Sequence, residues 1–158
     1  MPKGIVIYYS RSGNTKEMAE IIAEAMNEDG LATDCKDVGK VKPDDLLKYD
    51  AIVIGSPTYY GQMAAQIKEL FDEAVKFHGK LDGKVGAAFS SSANIGGGNE
   101  TTIMGIIEAM LIGGMIVEGD PQGDHYGPVS IGKPDDRVKK QCARRGKRVA
   151  DLTKRLFG

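Results

Sequence analysis

The chain has 158 residues, 41% hydrophobic and 27% charged, with a formal net charge of −1. That length suits one domain with a full core, expected to span residues 1–158. Two isolated cysteines, Cys35 and Cys142, with only two histidines, support neither a disulfide framework nor a zinc site. No run approaches the length of a membrane-spanning helix. The short apolar run after Lys3 is not a signal peptide, so a cytoplasmic protein is expected.

In chain order, Ile5, Val6, Ile7 and Tyr8 form a short apolar run of the kind found in a strand covered on both faces. Met18, Ile21, Ile22, Ala25 and Met26 then recur at helical spacing. Between strand and helix stands Ser10-Arg11-Ser12-Gly13-Asn14-Thr15, which reads as a phosphate cradle. A helix start leaves N–H groups without partners at the positive end of the dipole. Three hydroxyls surround that end, Gly13 turns the backbone into a nest, and Asn14 is the expected N-cap. The chain holds no Gly-x-x-x-x-Gly-Lys-[Ser/Thr], and Thr101 stands where a third dinucleotide-fingerprint glycine would fall after Gly96 and Gly98.

Leu31 to Val38 reads as an outer strand and Pro43 to Lys48 as a short helical or turn segment. Ala51 to Gly55 is the third strand, 64–77 a helix, Val85 to Phe89 the fourth strand, and Thr101 to Ile112 a helix. Met115 to Val117 is the core of a fifth strand before the C-terminal helix. Alternating strands and helices imply a parallel sheet with helices on both faces. Ligands of such sheets bind beyond the carboxyl ends of the strands, where strand order reverses. The last helix is basic: residues 133–158 carry ten Lys or Arg against three acids. Its apolar stripe of Val138, Cys142, Val149, Leu152 and Leu156 favours a solvated outer face, and no aromatic interleaving or nucleic-acid motif accompanies the charge.

Two further strand-end loops join the first. Pro57-Thr58-Tyr59-Tyr60-Gly61 offers two rings and an adaptable glycine peptide to a planar ligand. Ser91-Ser92-Ala93-Asn94-Ile95-Gly96-Gly97 is a loop of small residues that brings backbone N–H groups close to the sheet edge.

These three segments, in this order and spacing, resemble the flavodoxin superfamily. They are most similar to its tryptophan-repressor-binding-protein-like NAD(P)H:quinone oxidoreductase branch, the segment from Gly55 to Met63 being the most specific. The resemblance implies a flavodoxin-like three-layer sandwich whose five-stranded parallel sheet has the order 2-1-3-4-5. It also implies noncovalent FMN, with its phosphate on Ser10 to Thr15, its ring beside Pro57 to Gly61, and its polar edge and ribityl chain on Ser91 to Gly97. NAD(P)H and a quinone are the implied partners, usually in a homo-oligomer, without nucleic acid or membrane span. The protein's catalytic part is to tune the flavin, through Gly61 and Tyr60, rather than to supply a nucleophile.

The chain departs from that branch in places. The connections from Val38 to Tyr49 and from Gly119 to Pro134 are shorter, and no histidine stands near Ile112-Gly113. His125, in His125-Tyr126-Gly127, is either the candidate to replace it in part beside the flavin or a residue of a surface loop. The alternative is a flavodoxin-type carrier that passes electrons between protein partners. Gln62 and Arg11 make the site less acidic than that of a dedicated carrier, so the hydroquinone couple is expected to be less negative.

Overall fold

The computed structural model describes residues 1–158. Strands β1 (Lys3–Tyr8), β2 (Ala32–Asp37), β3 (Ala51–Tyr59), β5 (Val85–Ser92) and β6 (Ile116–Val117) form a parallel sheet in the order β2-β1-β3-β5-β6. This is the order expected from the sequence, with two short strands added. β4 (Gln62–Met63) folds back antiparallel on β3, and β7 (Val129–Ile131) runs parallel to the far half of β5. The fifth position of the sheet is thus filled by two pieces: β6 pairs with Val85 and Gly86, β7 with Ser90 to Ser92. Residues 118–128 pass between them.

Side-chain alternation along each strand divides the core in two. Val6, Val53, Ala87 and Phe89 pack under α1 (Asn14–Glu28) and α4 (Asp136–Phe157). Ile5, Ile7, Ile52, Ile54 and Ala88 pack under α2 (Ala65–Glu73) and α3 (Asn99–Ile112). Two glycines permit the closest approaches. A Cβ on Gly146 of α4 would lie 2.5 Å from the Ile22 carbonyl oxygen of α1, so the two helices touch there through backbone. A Cβ on Gly55 would lie 2.0 Å from the Phe89 ring. That glycine marks a crossing aromatic, and β3 continues past it to Tyr59.

The basic C-terminal helix is only in part the solvated face expected of it: Lys139, Lys140, Lys147 and Arg155 are exposed, whereas several of its arginines are engaged. Arg144 grips Asp120 through Nε at 2.7 Å and Nη2 at 2.8 Å. Arg145 donates to the Glu118 carbonyl at 2.7 Å, and Arg148 to the Gly119 carbonyl at 2.8 Å. Arg137 holds Asp124 at 2.8 Å. Lys147 and Lys154 both pair with Asp29. The arginines therefore pin the segment that interrupts the fifth strand, an arrangement that fork-shaped donors suit better than lysines.

Candidate functional site

The loops after β1, β3 and β5 meet at the carboxyl edge of the sheet and enclose a cleft of about 390 Å³. That volume lies in the range of small-molecule pockets. From the first loop it is lined by Arg11, Ser12, Asn14 and Thr15. The N-cap of α1 is Gly13, not Asn14: it takes φ +99° and no side chain caps the helix. Asn14 is the first helical residue. A glycine cap cannot satisfy the first-turn N–H groups, which remain available to an anion. The Gly13 N–H itself donates to Ser10 Oγ at 3.1 Å, which closes the loop from below. A Cβ on Gly13 would meet nothing within 4 Å, so the space above the loop is open.

Thr15 is buried, and its hydroxyl shares a 2.9 Å hydrogen bond with the Ser91 hydroxyl. The first and third loops are thereby joined at the cleft floor. The third contributes Ser91, Ser92 and Ala93 to the lining. Ser92 Oγ accepts from Asn99 Nδ2 at 3.2 Å and donates to the Asn94 carbonyl at 3.2 Å. Asn94, Ile95, Gly96 and Gly97 are exposed and stand at the rim, with the Ile95 side chain 87% exposed.

From the second loop, Pro57, Thr58 and Tyr59 line the cleft. The Tyr59 ring meets Tyr9 edge to face, with centroids 6.3 Å apart at 76°. Tyr60 and Gly61 form the two-residue turn between β3 and β4, with φ +50° and +75°. Tyr60 is the one non-glycine residue of the chain with positive φ, and its side chain is fully exposed. Positive φ at both central residues defines a hairpin turn of mirror-image type, which asparagine or glycine normally supplies. A bulky aromatic held there is a local strain, and such strain gathers at functional sites.

His125 lies elsewhere. It lines a neighbouring pocket of about 240 Å³ with Asn99, Glu100, Tyr126 and Arg137. Its Nδ1 donates to the Asp120 carbonyl at 2.7 Å. Asp120, held by Arg144, has its carboxyl lowered to a pKa of about 2.

Several residues of this region escape sequence reasoning. Gly132, just after β7, lines the cleft. Ser56 Oγ accepts the Ala64 N–H at 2.8 Å and so fastens the hairpin's far end. Thr101 and Thr102, in the first turn of α3, reach the second loop: Thr101 Oγ1 donates to the Gly61 carbonyl at 2.6 Å, and Thr102 Oγ1, whose own proton goes to the Gly98 carbonyl at 2.9 Å, lies 3.2 Å from the Thr58 hydroxyl. Two adjacent threonines one turn after a glycine run are the only signal the sequence carries for this.

A doubly covered parallel sheet, with a ligand cleft at its carboxyl edge and an uncapped first helix, defines the flavodoxin-like class. The chain belongs to the flavodoxin domain family, whose model matches residues 5–97. It is 39% identical over 160 residues to a protein of Aquifex aeolicus named flavodoxin, covering 96% of this chain and 86% of the relative. It is 32% identical over 190 residues to a protein of Archaeoglobus fulgidus named NAD(P)H dehydrogenase (quinone), covering 99% of this chain and all of the relative. Among solved structures, a flavodoxin from the domain Archaea superposes with a TM-score of 0.79 at 34% identity, covering 96% of this chain and 99% of that one. No helix is long and apolar enough to cross a membrane.

Proposed function

We propose that the cleft holds FMN noncovalently and that the protein transfers electrons through it. The observation that carries this reading is the convergence of three strand-end loops on one cleft beside a helix start whose cap has no side chain. The residues fit the group. Free first-turn N–H groups, the Ser12 hydroxyl and the Arg11 guanidinium make a donor set for a phosphate monoester. Open space above Gly13 leaves room for that phosphate to approach the backbone. Pro57, Thr58 and Tyr59 form the wall for the ring, and Ser91, Ser92 and Ala93 the side for the ribityl chain and the polar edge. Asn94 to Gly97 close the rim, with Tyr60 and Gly61 at the hairpin tip. When bound, the flavin supplies one- and two-electron redox chemistry, and the protein sets its orientation and exposure.

Between the two activities that this family suggests, the carrier role is the better supported. The alignment with the Archaeoglobus fulgidus dehydrogenase runs over 190 positions against 158 residues here, so at least 190 − 158 = 32 positions of that relative have no counterpart in this chain. At the cleft rim, Tyr60 and Ile95 are exposed side chains on two different loops, a rim suited to a protein surface. A second reading, an FMN-dependent NAD(P)H dehydrogenase acting on quinones, is favoured by 37% identity over 153 residues to a protein of Azorhizobium caulinodans with that name. An anaerobic titration of the FMN-loaded protein separates them. A carrier leaves its flavin oxidised in NADH or NADPH and is reduced only by dithionite or a protein reductase. Rapid bleaching by either nucleotide, with turnover on a soluble quinone, identifies the enzyme.

A further inference from the structure

We propose that Thr101 is a positioning residue for the β3–β4 turn, a latch that orders the turn before the flavin changes redox state; the redox part of this inference rests on the FMN reading above. Thr101 Oγ1 lies 2.6 Å from the Gly61 carbonyl and 2.8 Å from the Gly98 carbonyl. One hydroxyl has one proton to give. The Gly98 carbonyl already receives the Thr102 N–H at 2.9 Å and the Thr102 hydroxyl at 2.9 Å, so the Thr101 proton belongs to Gly61. That use is unusual for a helical threonine, whose hydroxyl ordinarily turns back on the preceding turn of its own helix.

The surrounding backbone leaves no slack. Gly98 takes φ +97°, and a Cβ there would lie 2.5 Å from the Gly61 Cα. The cap of α3 and the tip of the hairpin therefore touch through glycines on both sides, and Thr101 fastens them. A carbonyl held toward α3 cannot swing into the cleft. The peptide between Tyr60 and Gly61 remains the movable one of the turn, between a strained aromatic and a glycine that accepts either sign of φ. Ordering the turn in advance lowers the conformational cost of any contact it makes with the ring.

The test compares Thr101→Val, which keeps shape and loses the donor, with Thr101→Ser, which keeps the donor. In flavin-free protein, amide hydrogen exchange across residues 59–63 reads the latch directly. It should quicken about fivefold in the valine variant, as expected for one hydrogen bond, and return to wild type in the serine variant. In FMN-loaded protein, potentiometric titration should show the equilibrium constant linking the two one-electron steps lowered about fivefold by valine and restored by serine. Unchanged exchange in Thr101→Val overturns the latch. Quickened exchange with unchanged one-electron steps overturns its redox role. A wild-type protein that binds no FMN defeats the cofactor reading instead, and the exchange comparison still decides the latch.

Discussion

Residues 93–98, at the rim of the cleft, and residues 118–128, which contribute to the neighbouring pocket, are both irregular segments, and they are held by opposite means. The first consists mostly of small and exposed residues; up to Gly97 it is tied by the Asn94 carbonyl, which receives Ser92 Oγ at 3.2 Å and the Gly97 N–H at 3.3 Å, and only its last residue, Gly98, is anchored to α3. The second is gripped by four arginines of α4, with Asp120 only 5% and Arg145 3% exposed. Gly127 presses so closely on β5 that a Cβ would lie 2.0 Å from the Ala88 carbonyl oxygen. A segment pinned by side chains keeps its shape without a ligand. A segment with free backbone donors takes its final shape from the ligand it meets. The pinned one gives the neighbouring pocket a fixed wall; the loose one is the part of the cleft rim free to close on a ligand.

Breaking the pinned segment should have the largest effect. Asp120→Ala leaves Arg144 without its acceptor and removes one of the two carboxylate partners of Arg148, and should cost roughly 3 kcal/mol of stability by urea unfolding. A smaller effect, on binding rather than folding, is expected at the cleft. Ser12→Glu sets a carboxylate at the phosphate position on an exposed residue, and should weaken FMN binding by about 2 kcal/mol, roughly thirtyfold, without moving the thermal midpoint.

A similar magnitude appears in the acid limb of stability. Asp120 and Asp29 both titrate at about 2 in the folded chain, held down by Arg144 and by Lys147 with Lys154. Folded values below the ordinary 3.8 mean that their contribution is complete above pH 4 and disappears as pH falls toward 2. For Asp120 this is about 2 kcal/mol, and Asp29→Asn should flatten the same limb. The smallest effect belongs to the loose segment: Ile95→Ser, at an exposed tip, should change stability by less than about 0.5 kcal/mol. A large loss there would show that residues 93–98 are tied more firmly than the contrast with 118–128 allows.

Much of this was legible in the sequence. Apolar runs marked β1, β3 and β5, helical spacing marked α1 to α4, and the position of the loops after those strands identified the cleft. What escaped notice depended on long-range contacts. Gly55 reads as a strand end, yet it is there because the Phe89 ring crosses it, and β3 runs on through Pro57 to form the hairpin. Residues Val129 to Ile131 are too few to show a period, so the second piece of the fifth strand was invisible. The arginines of α4 look like a solvated face until residues 118–128 fold against them. Asn14 is a good cap by type, but Gly13 takes that place because a left-handed backbone is needed to turn the loop. The roles of Thr101 and Thr102 required α3 to arrive beside the hairpin, which no local pattern announces.

The most direct test of the account is a pair of binding titrations on the flavin-free protein, one with FMN and one with riboflavin, followed by flavin fluorescence. The ring and ribityl contacts are common to both ligands, so the difference isolates the phosphate. The account predicts that FMN binds at least tenfold more tightly, and that Ser12→Glu removes most of the difference. Equal affinity for the two flavins, or no binding of either, would contradict the assignment of the Ser10 to Thr15 loop as the phosphate site.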